Sequence, residues 1–265
     1  MAAPNEITPK QLLRLIGTPD CPLIVDICLD EDRAKDPHII PGSIRQRHTN
    51  IDQISALANG RSVVVVCQKG LKLSMGLASL LRSKGIAAEY LAGGMFAWRD
   101  TVDAPRLALS ALPNENLWVT RHRPKIDRIA TPWLIHRFID SCAEFLFVAP
   151  DQVANVADRY DAIPFDIPDV PFSHHGDRCT FDALLDRFNL RTTALDALSL
   201  VVRAADTGSN DCPQAAGLLA ISVGVSRMYK DDHEQLAAAI PLYDALYRWA
   251  RDGQSETHNS FGNPA

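Results

Sequence analysis

Short apolar runs alternate with segments of helical spacing along the first half of the chain. Three runs predict strands, at Leu23 to Ile27, Val63 to Val66 and Ala87 to Leu91, and the unbroken valines are typical of a strand buried on both faces. Three helices are predicted in this half. The first begins at Pro9 after the cap residue Thr8, the second is a short helix that contains Ile54, and the third runs from Leu73 to its end at Gly85. Strands that alternate with helices predict an α/β fold with an open parallel sheet flanked by helices, whose chemistry belongs at the carboxyl ends of the strands.

Two polar or proline-containing stretches are predicted to lie outside this pattern. Asp30 to Pro37 carries charges of both signs, which favours a surface loop. Residues 103–116 hold an Ala/Leu run between two prolines and are interpreted as a linker with room for one helical turn. The predicted boundaries are therefore a first domain at 5–102, the linker at 103–116, a second domain at 117–251 and a disordered polar tail at 252–265.

The second half predicts a mixed α/β, helix-rich domain. Strands are predicted at Trp118 to Thr120 and at Phe145 to Val148. Helices are predicted from Ile129 to Phe138, from Val153 to Tyr160, after the cap residue Thr180, from Gln214 to Val225 and after Asp231. Leu195 to Val202 fits a helix and a strand equally well.

The composition of the chain bears on whether it binds nucleic acid or a membrane. The chain has 265 residues, a hydrophobic fraction of 46%, a net charge of -5 and a pI near 5.9, which describes a folded protein without bulk attraction to nucleic acid or anionic membranes. No apolar run reaches 18 residues, and the first residues lack the pattern of a signal peptide. We therefore expect a cytoplasmic protein with no nucleic-acid and no membrane partner.

The six cysteines are scattered and form no Cys-x-x-Cys pair, which argues against a disulfide framework and a zinc ribbon. Cys67 differs from the others because it stands where the valine strand stops and a helix is about to begin. Backbone N–H groups converge in such a loop, and Lys69 and Lys72 would favour the thiolate form of Cys67. The alternative without a chemical role is a buried cysteine at a strand end, a common place for free cysteines.

Residues 6 to 100 resemble a rhodanese domain through four motifs in the family's order. These are Leu23-Ile24-Val25-Asp26, His38-Ile39-Ile40-Pro41-Gly42-Ser43, Cys67 to Lys72, and Leu91-Ala92-Gly93-Gly94-Met95-Phe96-Ala97-Trp98. The resemblance implies that Cys67 carries sulfane sulfur as a persulfide, aided by Lys69 and Lys72, and that Gln68, Gly70 and Leu71 complete the loop around a small sulfur donor or acceptor. The run after Asp26 departs from the family, because no arginine follows directly.

Loop length separates sulfur transfer from phosphatase chemistry. Phosphatase relatives of the rhodanese domain use a longer loop with an arginine that grips phosphate bidentately. Here Lys72 is the sixth loop residue and Leu73 the seventh. A small sulfur acceptor is therefore favoured over a phosphate ester.

The second half begins with a dense group of cations. Arg121, Arg123, Lys125 and Arg128 lie at a predicted junction of strand and helix, where guanidinium groups and a helix N-terminus suit an anion. We predict that Arg121, Lys125 and Arg128 hold an oxyanion. A solvated basic face is an equally good interpretation, and Asp127 could instead neutralise the cluster from within.

Histidine and acidic residues supply the other candidate site of the second half. His174 and His175 precede Gly176, and Asp206 follows Arg203 in an apolar setting. Histidine and aspartate are ligand types suited to a divalent or transition metal, and such a metal is the one cofactor that the sequence suggests. We predict His174 and Asp206 as ligands or acid/base groups. A surface turn for the histidines and a buried Arg203–Asp206 ion pair are the structural alternatives.

Residues 117 to 251 resemble the C-terminal domain of chromate-resistance proteins of the ChrB type. The motifs are Trp118-Val119-Thr120-Arg121, Arg123-Pro124-Lys125-Ile126-Asp127-Arg128-Ile129-Ala130, Pro132-Trp133-Leu134-Ile135, Glu144-Phe145-Leu146-Phe147-Val148, Pro164-Phe165-Asp166-Ile167, Arg203-Ala204-Ala205-Asp206 and Gln214-Ala215-Ala216-Gly217-Leu218. Thr131 departs from relatives, which often have cysteine there. The resemblance implies a role in chromate resistance and makes chromate a candidate oxyanion.

Two functions follow from these features. The first is a rhodanese-type sulfurtransferase or persulfide carrier, coupled to a domain that handles an oxyanion or metal. The second is a chromate-responsive sensor or regulator without catalytic turnover. A regulator that reads DNA needs a recognition helix with a basic face, and the sequence has no such pattern.

Overall fold

The computed structural model describes residues 5–209 and 211–256. These residues form two compact units. The first unit consists of residues 5–116 together with 134–144 and 186–190. The second consists of 117–133, 145–185, 191–209 and 211–256.

The first unit is built on a five-stranded parallel sheet. Its strands are β1 (Glu6–Ile7), β2 (Leu23–Asp26), β4 (Ile44–Arg45), β5 (Val63–Val66) and β6 (Ala88–Leu91); β3 (His38–Ile39) pairs separately with β7 (Leu107–Ala108). The strand order is β1-β6-β5-β2-β4. All four valines of β5 are buried, so the sheet places the valine strand at its centre, as predicted. Cys67 follows at the carboxyl end of this strand.

Helices flank the sheet, which confirms the predicted α/β class. They are α1 (Pro9–Leu15), α2 (Asp30–Lys35), α3 (Ile51–Ala58), α4 (Lys72–Ser83) and α5 (Gly94–Arg99). Thr8 and Gln11 close a reciprocal capping box at the start of α1. The prediction of a loop over Asp30 to Pro37 was wrong, because α2 has acidic residues in its first turn, basic residues in its last turn and a buried Arg33.

The stretch predicted as a linker contains regular structure. Leu107 is fully buried in β7, and a short 3-10 turn follows at Leu109–Ala111. Arg106 also forms an ion pair with Asp36. The domain boundaries remain a prediction, and residues 257–265 of the predicted tail lie outside the described residues.

The second half forms a three-stranded sheet surrounded by helices, which confirms its mixed, helix-rich class. The strands are β8 (Leu117–Arg121), β9 (Glu144–Val148) and β10 (Ile163–Pro164), in the order β10-β8-β9. The helices are α6 (Asp127–Leu134), α7 (Val153–Tyr160), α8 (Thr180–Arg187), α9 (Thr193–Thr207), α10 (Gln214–Met228) and α11 (Asp232–Arg248). The ambiguous run from Leu195 is thus a helix, and no helix in 5–209 or 211–256 is long and apolar enough to cross a membrane.

Candidate functional site

Cys67 is held at the end of β5 with its side chain almost out of contact with solvent. The residue is 5% exposed, and its Sγ lies 3.2 Å from Oγ of Ser74 in α4. The Ser74 hydroxyl also donates to the Leu71 carbonyl at 3.1 Å. Because the hydroxyl has one proton, it can donate to the carbonyl or turn to a thiolate, so Ser74 is a partner for either form of the sulfur.

Gly94 and the two residues that follow it clamp the Cys67 loop from behind. Met95 and Phe96 donate backbone N–H bonds to the carbonyls of Cys67 and Gln68, both at 3.1 Å. A Cβ at Gly94 would lie 2.8 Å from the Gln68 carbonyl and closer still to the Cys67 carbonyl. The two backbones therefore approach more closely than any other residue type permits.

The clamp directs the loop's remaining backbone groups. In a trans peptide the N–H points away from the preceding C=O, so the N–H groups of Gln68 and Lys69 face away from α5. Within the described parts of the chain, no hydrogen-bond acceptor is paired with a backbone N–H between Gln68 and Lys72. These groups are available to an anionic sulfur or a small oxyanion.

A cavity of about 460 Å³ opens in front of the sulfur. Its lining is Leu29, Asp32, Cys67, Gln68, Lys69, Leu71, Lys72 and Leu73. The structure thus brings the predicted loop residues to one cavity, except Gly70, which packs behind the loop at a φ of +65° against Gly93 and Gly94. Sequence reasoning missed Ser74 and Asp32, because neither stands in the loop motif.

Asp26 has an arginine partner, although no arginine follows it directly in the sequence. Arg33 of α2 forms a buried ion pair with Asp26 and also donates to the carbonyl of His38. The other oxygen of Asp26 accepts the Cys28 N–H at 2.9 Å. The carboxylate at the end of β2 therefore fixes the chain segment that lines one side of the cavity through Leu29 and Asp32.

A second cluster gathers around the imidazole of His174. Its Nε2 lies 3.4 Å from Asp127 Oδ2, 3.2 Å from Asp166 Oδ1 and 3.3 Å from Asp206 Oδ2. One donor atom each from His174, Asp127 and Asp206 fall within 4.8 Å of one another. His174 and Asp206, both predicted from the sequence, thus meet, whereas nothing in the sequence marks Asp127 or Asp166 as their neighbours.

Asp127 is the most firmly held member of this cluster. It is 1% exposed, and its two oxygens accept the N–H groups of Thr180 and Phe181 at 2.7 and 2.9 Å, so it caps α8 from another segment. Thr180 is accordingly the first residue of α8 rather than its cap. The preceding Ile126 has a φ of +43°, held by a bond from its N–H to Ser222 and one from the Tyr243 hydroxyl to its carbonyl.

The cluster carries an excess of negative charge. The hydrogen bond with Asp127 and the charges of the acids raise the pKa of His174 to about 9, against the effect of desolvation. Desolvation by burial, reinforced by the charge of Asp127, raises the pKa of Asp206 to about 6. The predicted alternative of an Arg203–Asp206 pair does not form, because Arg203 pairs with Asp182 at 3.2 Å.

The three residues predicted to hold an oxyanion do not share one environment in the structure. Arg121 and Arg128 both contact Oδ2 of Asp166, at 2.7 and 3.0 Å, and this carboxylate also faces His174. Lys125 has no such partner among the described residues. Desolvation and then the charges of Arg128, Arg123 and Arg227 lower the pKa of Lys125. Arg121, Arg128 and His174 are therefore joined through Asp166, while Lys125 occupies an electropositive position.

Comparison with known proteins finds two family matches in separate parts of the chain. Residues 118–250 match the family model "ChrB, C-terminal domain", and residues 8–101 match the rhodanese-like domain. Protein ChrB of Cupriavidus metallidurans is 34% identical over 131 residues, which cover 49% of this chain and 39% of that protein. The chain thus matches well under half the length of this curated relative.

Two solved structures each match about a third of the chain. A rhodanese-like domain protein from Staphylococcus aureus is 29% identical, with a TM-score of 0.29, over 36% of this chain and 90% of that one. A protein from Staphylococcus saprophyticus is 25% identical, with a TM-score of 0.30, over 34% of this chain and 89% of that one. The chain carries a rhodanese-like domain at residues 8–101 and, through residues 118–250, belongs to the family of the ChrB C-terminal domain.

Proposed function

We propose that the chain transfers sulfane sulfur through a persulfide on Cys67, as one part of a protein that serves chromate resistance. The observation that carries this proposal is the position of the Cys67 sulfur. It stands at the end of a central parallel strand, in a loop with available N–H groups, and faces a cavity lined by two lysines.

The chemistry needs no group beyond the sulfur substrates. The Cys67 thiolate attacks the outer sulfur of a donor such as thiosulfate, a new S–S bond forms, and the donor's S–S bond breaks so that sulfite leaves with the electron pair. An acceptor nucleophile then attacks the outer sulfur of the persulfide and returns Cys67 to the thiolate. Loop N–H groups would stabilise the terminal persulfide sulfur, and Lys69 and Lys72 would attract the anionic donor.

Mass spectrometry of the intact protein tests the first half of this cycle. After incubation with thiosulfate, the wild-type mass should rise by one sulfur atom, and reductant should remove the gain. Cys67→Ser should show neither the gain nor thiocyanate formation from thiosulfate and cyanide, because a hydroxyl cannot carry sulfane sulfur at its ordinary pKa. Cys142→Ser, which replaces an exposed cysteine, serves as the matched control and should keep both activities.

The outcomes separate the candidate functions. Sulfur loading with turnover supports a sulfurtransferase, and loading without turnover supports a persulfide carrier. A Cys67→Ser protein that still turns over thiosulfate at the wild-type rate contradicts the assignment. Absence of loading in the wild type would favour the alternative of a chromate-responsive sensor.

For the second domain we propose oxyanion binding at Lys125. Support comes from the three guanidinium groups whose charges act on this ammonium, since a bound anion would relieve their mutual repulsion. Chromate is the first anion to test because of the family's link to chromate resistance. Arg121 and Arg128 contribute less than the sequence suggested, because Asp166 already balances part of their charge.

A further inference from the structure

We propose that Asp127, His174 and Asp206 bind a divalent first-row transition metal, with the imidazole Nε2 and one oxygen of each carboxylate as ligands. The site goes beyond sulfur transfer, since all three residues belong to the second domain. The group combines an imidazole with carboxylates, the donor set that suits manganese, iron and zinc.

The spacing of the donors fits a metal better than it fits hydrogen bonds. Three carboxylate oxygens lie 3.2, 3.3 and 3.4 Å from the same nitrogen. A charge-assisted N–H···O bond is shorter, about 2.7–2.9 Å, and a single N–H can point at only one of the three oxygens. Metal bonds of about 2.0–2.1 Å in a tetrahedral shell place neighbouring ligand atoms roughly 3.3 Å apart. The distances from the His174 nitrogen to the Asp127 and Asp206 oxygens, 3.4 and 3.3 Å, match the separation of neighbouring ligands of one ion.

The charges of the cluster also favour a bound cation. In the described parts of the chain, Asp166 has two arginine partners, while Asp127 and Asp206 form an ion pair with no basic residue except His174. Two carboxylates and a neutral imidazole balance the charge of one divalent cation. Asp166 is a positioning residue in this arrangement, because its Oδ1 faces the imidazole while its Oδ2 is held by Arg121 and Arg128.

The site is open on one side, which indicates a reactive or exchangeable metal rather than a structural one. The side chain of His174 is 38% exposed and that of Asp206 is 23% exposed, whereas that of Asp127 is 1% exposed. Three protein ligands leave at least one coordination position for water or a small anion. The nearby Cys179 does not supply a ligand, because its thiol donates to Asp182 at 3.6 Å.

Metal binding to the full chain tests the proposal directly. The protein is treated with chelator, titrated with Mn²⁺ and followed by the loss of the free-ion signal in electron paramagnetic resonance. We expect one bound Mn²⁺ per chain, displaced by Zn²⁺ because zinc binds such donor sets more tightly. Thermal unfolding should shift upward with Mn²⁺, as it does for any ligand that binds only the folded state.

Adjacent histidines provide a matched pair of variants. His174→Ala should weaken Mn²⁺ binding at least tenfold, and His175→Ala should leave it unchanged, because His175 lies outside the donor group. Asp206→Asn keeps the shape of the residue and should also weaken binding, which covers the case of a poorly folded His174 variant. Equal Mn²⁺ affinity in wild type and His174→Ala would overturn the proposal, as would a wild type that binds no Mn²⁺ or Zn²⁺. The second result would make the cluster an ion-pair network only. Sulfur loading of Cys67 is measured separately, so failure of one assignment does not imply failure of the other.

Discussion

Gly94→Ala tests the glycine clamp behind the Cys67 loop. Gly94 has a φ of +58°, and the new methyl group would collide with the carbonyls of Cys67 and Gln68. The left-handed conformation alone costs a non-glycine residue roughly 1–2 kcal/mol. The collision also threatens the bonds from Met95 and Phe96, each worth about 1 kcal/mol. We expect a total loss of about 3–4 kcal/mol in the free energy of unfolding.

Gly85→Ala is the matched control, since it separates the collision from the conformational cost. Gly85 has a φ of +80°, with no atom within 4 Å of the position that an added methyl group would occupy. Chemical denaturation should therefore show a loss of only about 1–2 kcal/mol for this variant. Thiosulfate turnover, measured at a temperature where both variants are folded, should fall in Gly94→Ala and stay near the wild-type rate in Gly85→Ala. Equal stability and equal turnover in the two variants would refute the argument that close backbone approach shapes the loop.

Three further changes test other parts of the chain. Gly76→Ala should stabilise the protein by about 0.5–1 kcal/mol in denaturation, because the site is open and lies within α4; a loss would show hidden crowding. Lys125→Met should weaken chromate binding in calorimetry while changing stability by less than about 1 kcal/mol, and unchanged affinity would remove Lys125 from the anion site. Asp182→Asn should cost about 2 kcal/mol, less than a fully buried pair, because its partner Arg203 is 30% exposed. Burial alone would raise the pKa of Asp182, but the Ser199 hydrogen bond and the neighbouring arginines outweigh burial, so the net pKa is below its ordinary value. The ionised Asp182 therefore stabilises the folded protein above pH ~4, and this contribution to the free energy of unfolding is lost as the pH falls below that value. Thermal unfolding against pH should show that acid loss in the wild type and a smaller one in Asp182→Asn.

The first domain was the more predictable part because its signals are local. The unbroken valines from Val63 to Val66 predicted a strand buried on both faces, and the structure places it at the centre of the sheet. The glycines after Leu91 were noted only as part of a family motif, and their close approach to the Cys67 loop is visible only in the structure. The helix over Asp30 to Lys35 escaped because mixed charges suggested a solvated loop. The order of those charges, acids in the first turn and basic residues in the last, suits a helix, and the ion pair that buries Arg33 against Asp26 is a contact that sequence spacing does not reveal.

The second domain shows the limit of that reasoning more clearly. His174 and Asp206 stand out by residue type, and the structure brings them within 3.3 Å of each other. The sequence suggests Asp127 as the acid that neutralises the arginines beside it, whereas Asp166, 45 residues from Arg121, has that role. Which acid pairs with which cation depends on how distant segments pack, and local charge patterns do not encode it.

Asp127 links the stability of the second domain to its chemistry. Its oxygens satisfy the first N–H groups of α8, and one of them also faces His174. Replacing Asp127 would therefore release the helix start and remove a proposed metal ligand together, so loss of metal binding in such a variant would not identify the cause. The carboxylate of Asp206 also accepts a backbone hydrogen bond from Asp127, the first residue of α6, so His174, whose side chain is 38% exposed, is the cluster member whose replacement disturbs the fold least. The buried carboxylate thus fixes the geometry, and the two more exposed residues can respond to whatever ion or anion enters from solvent.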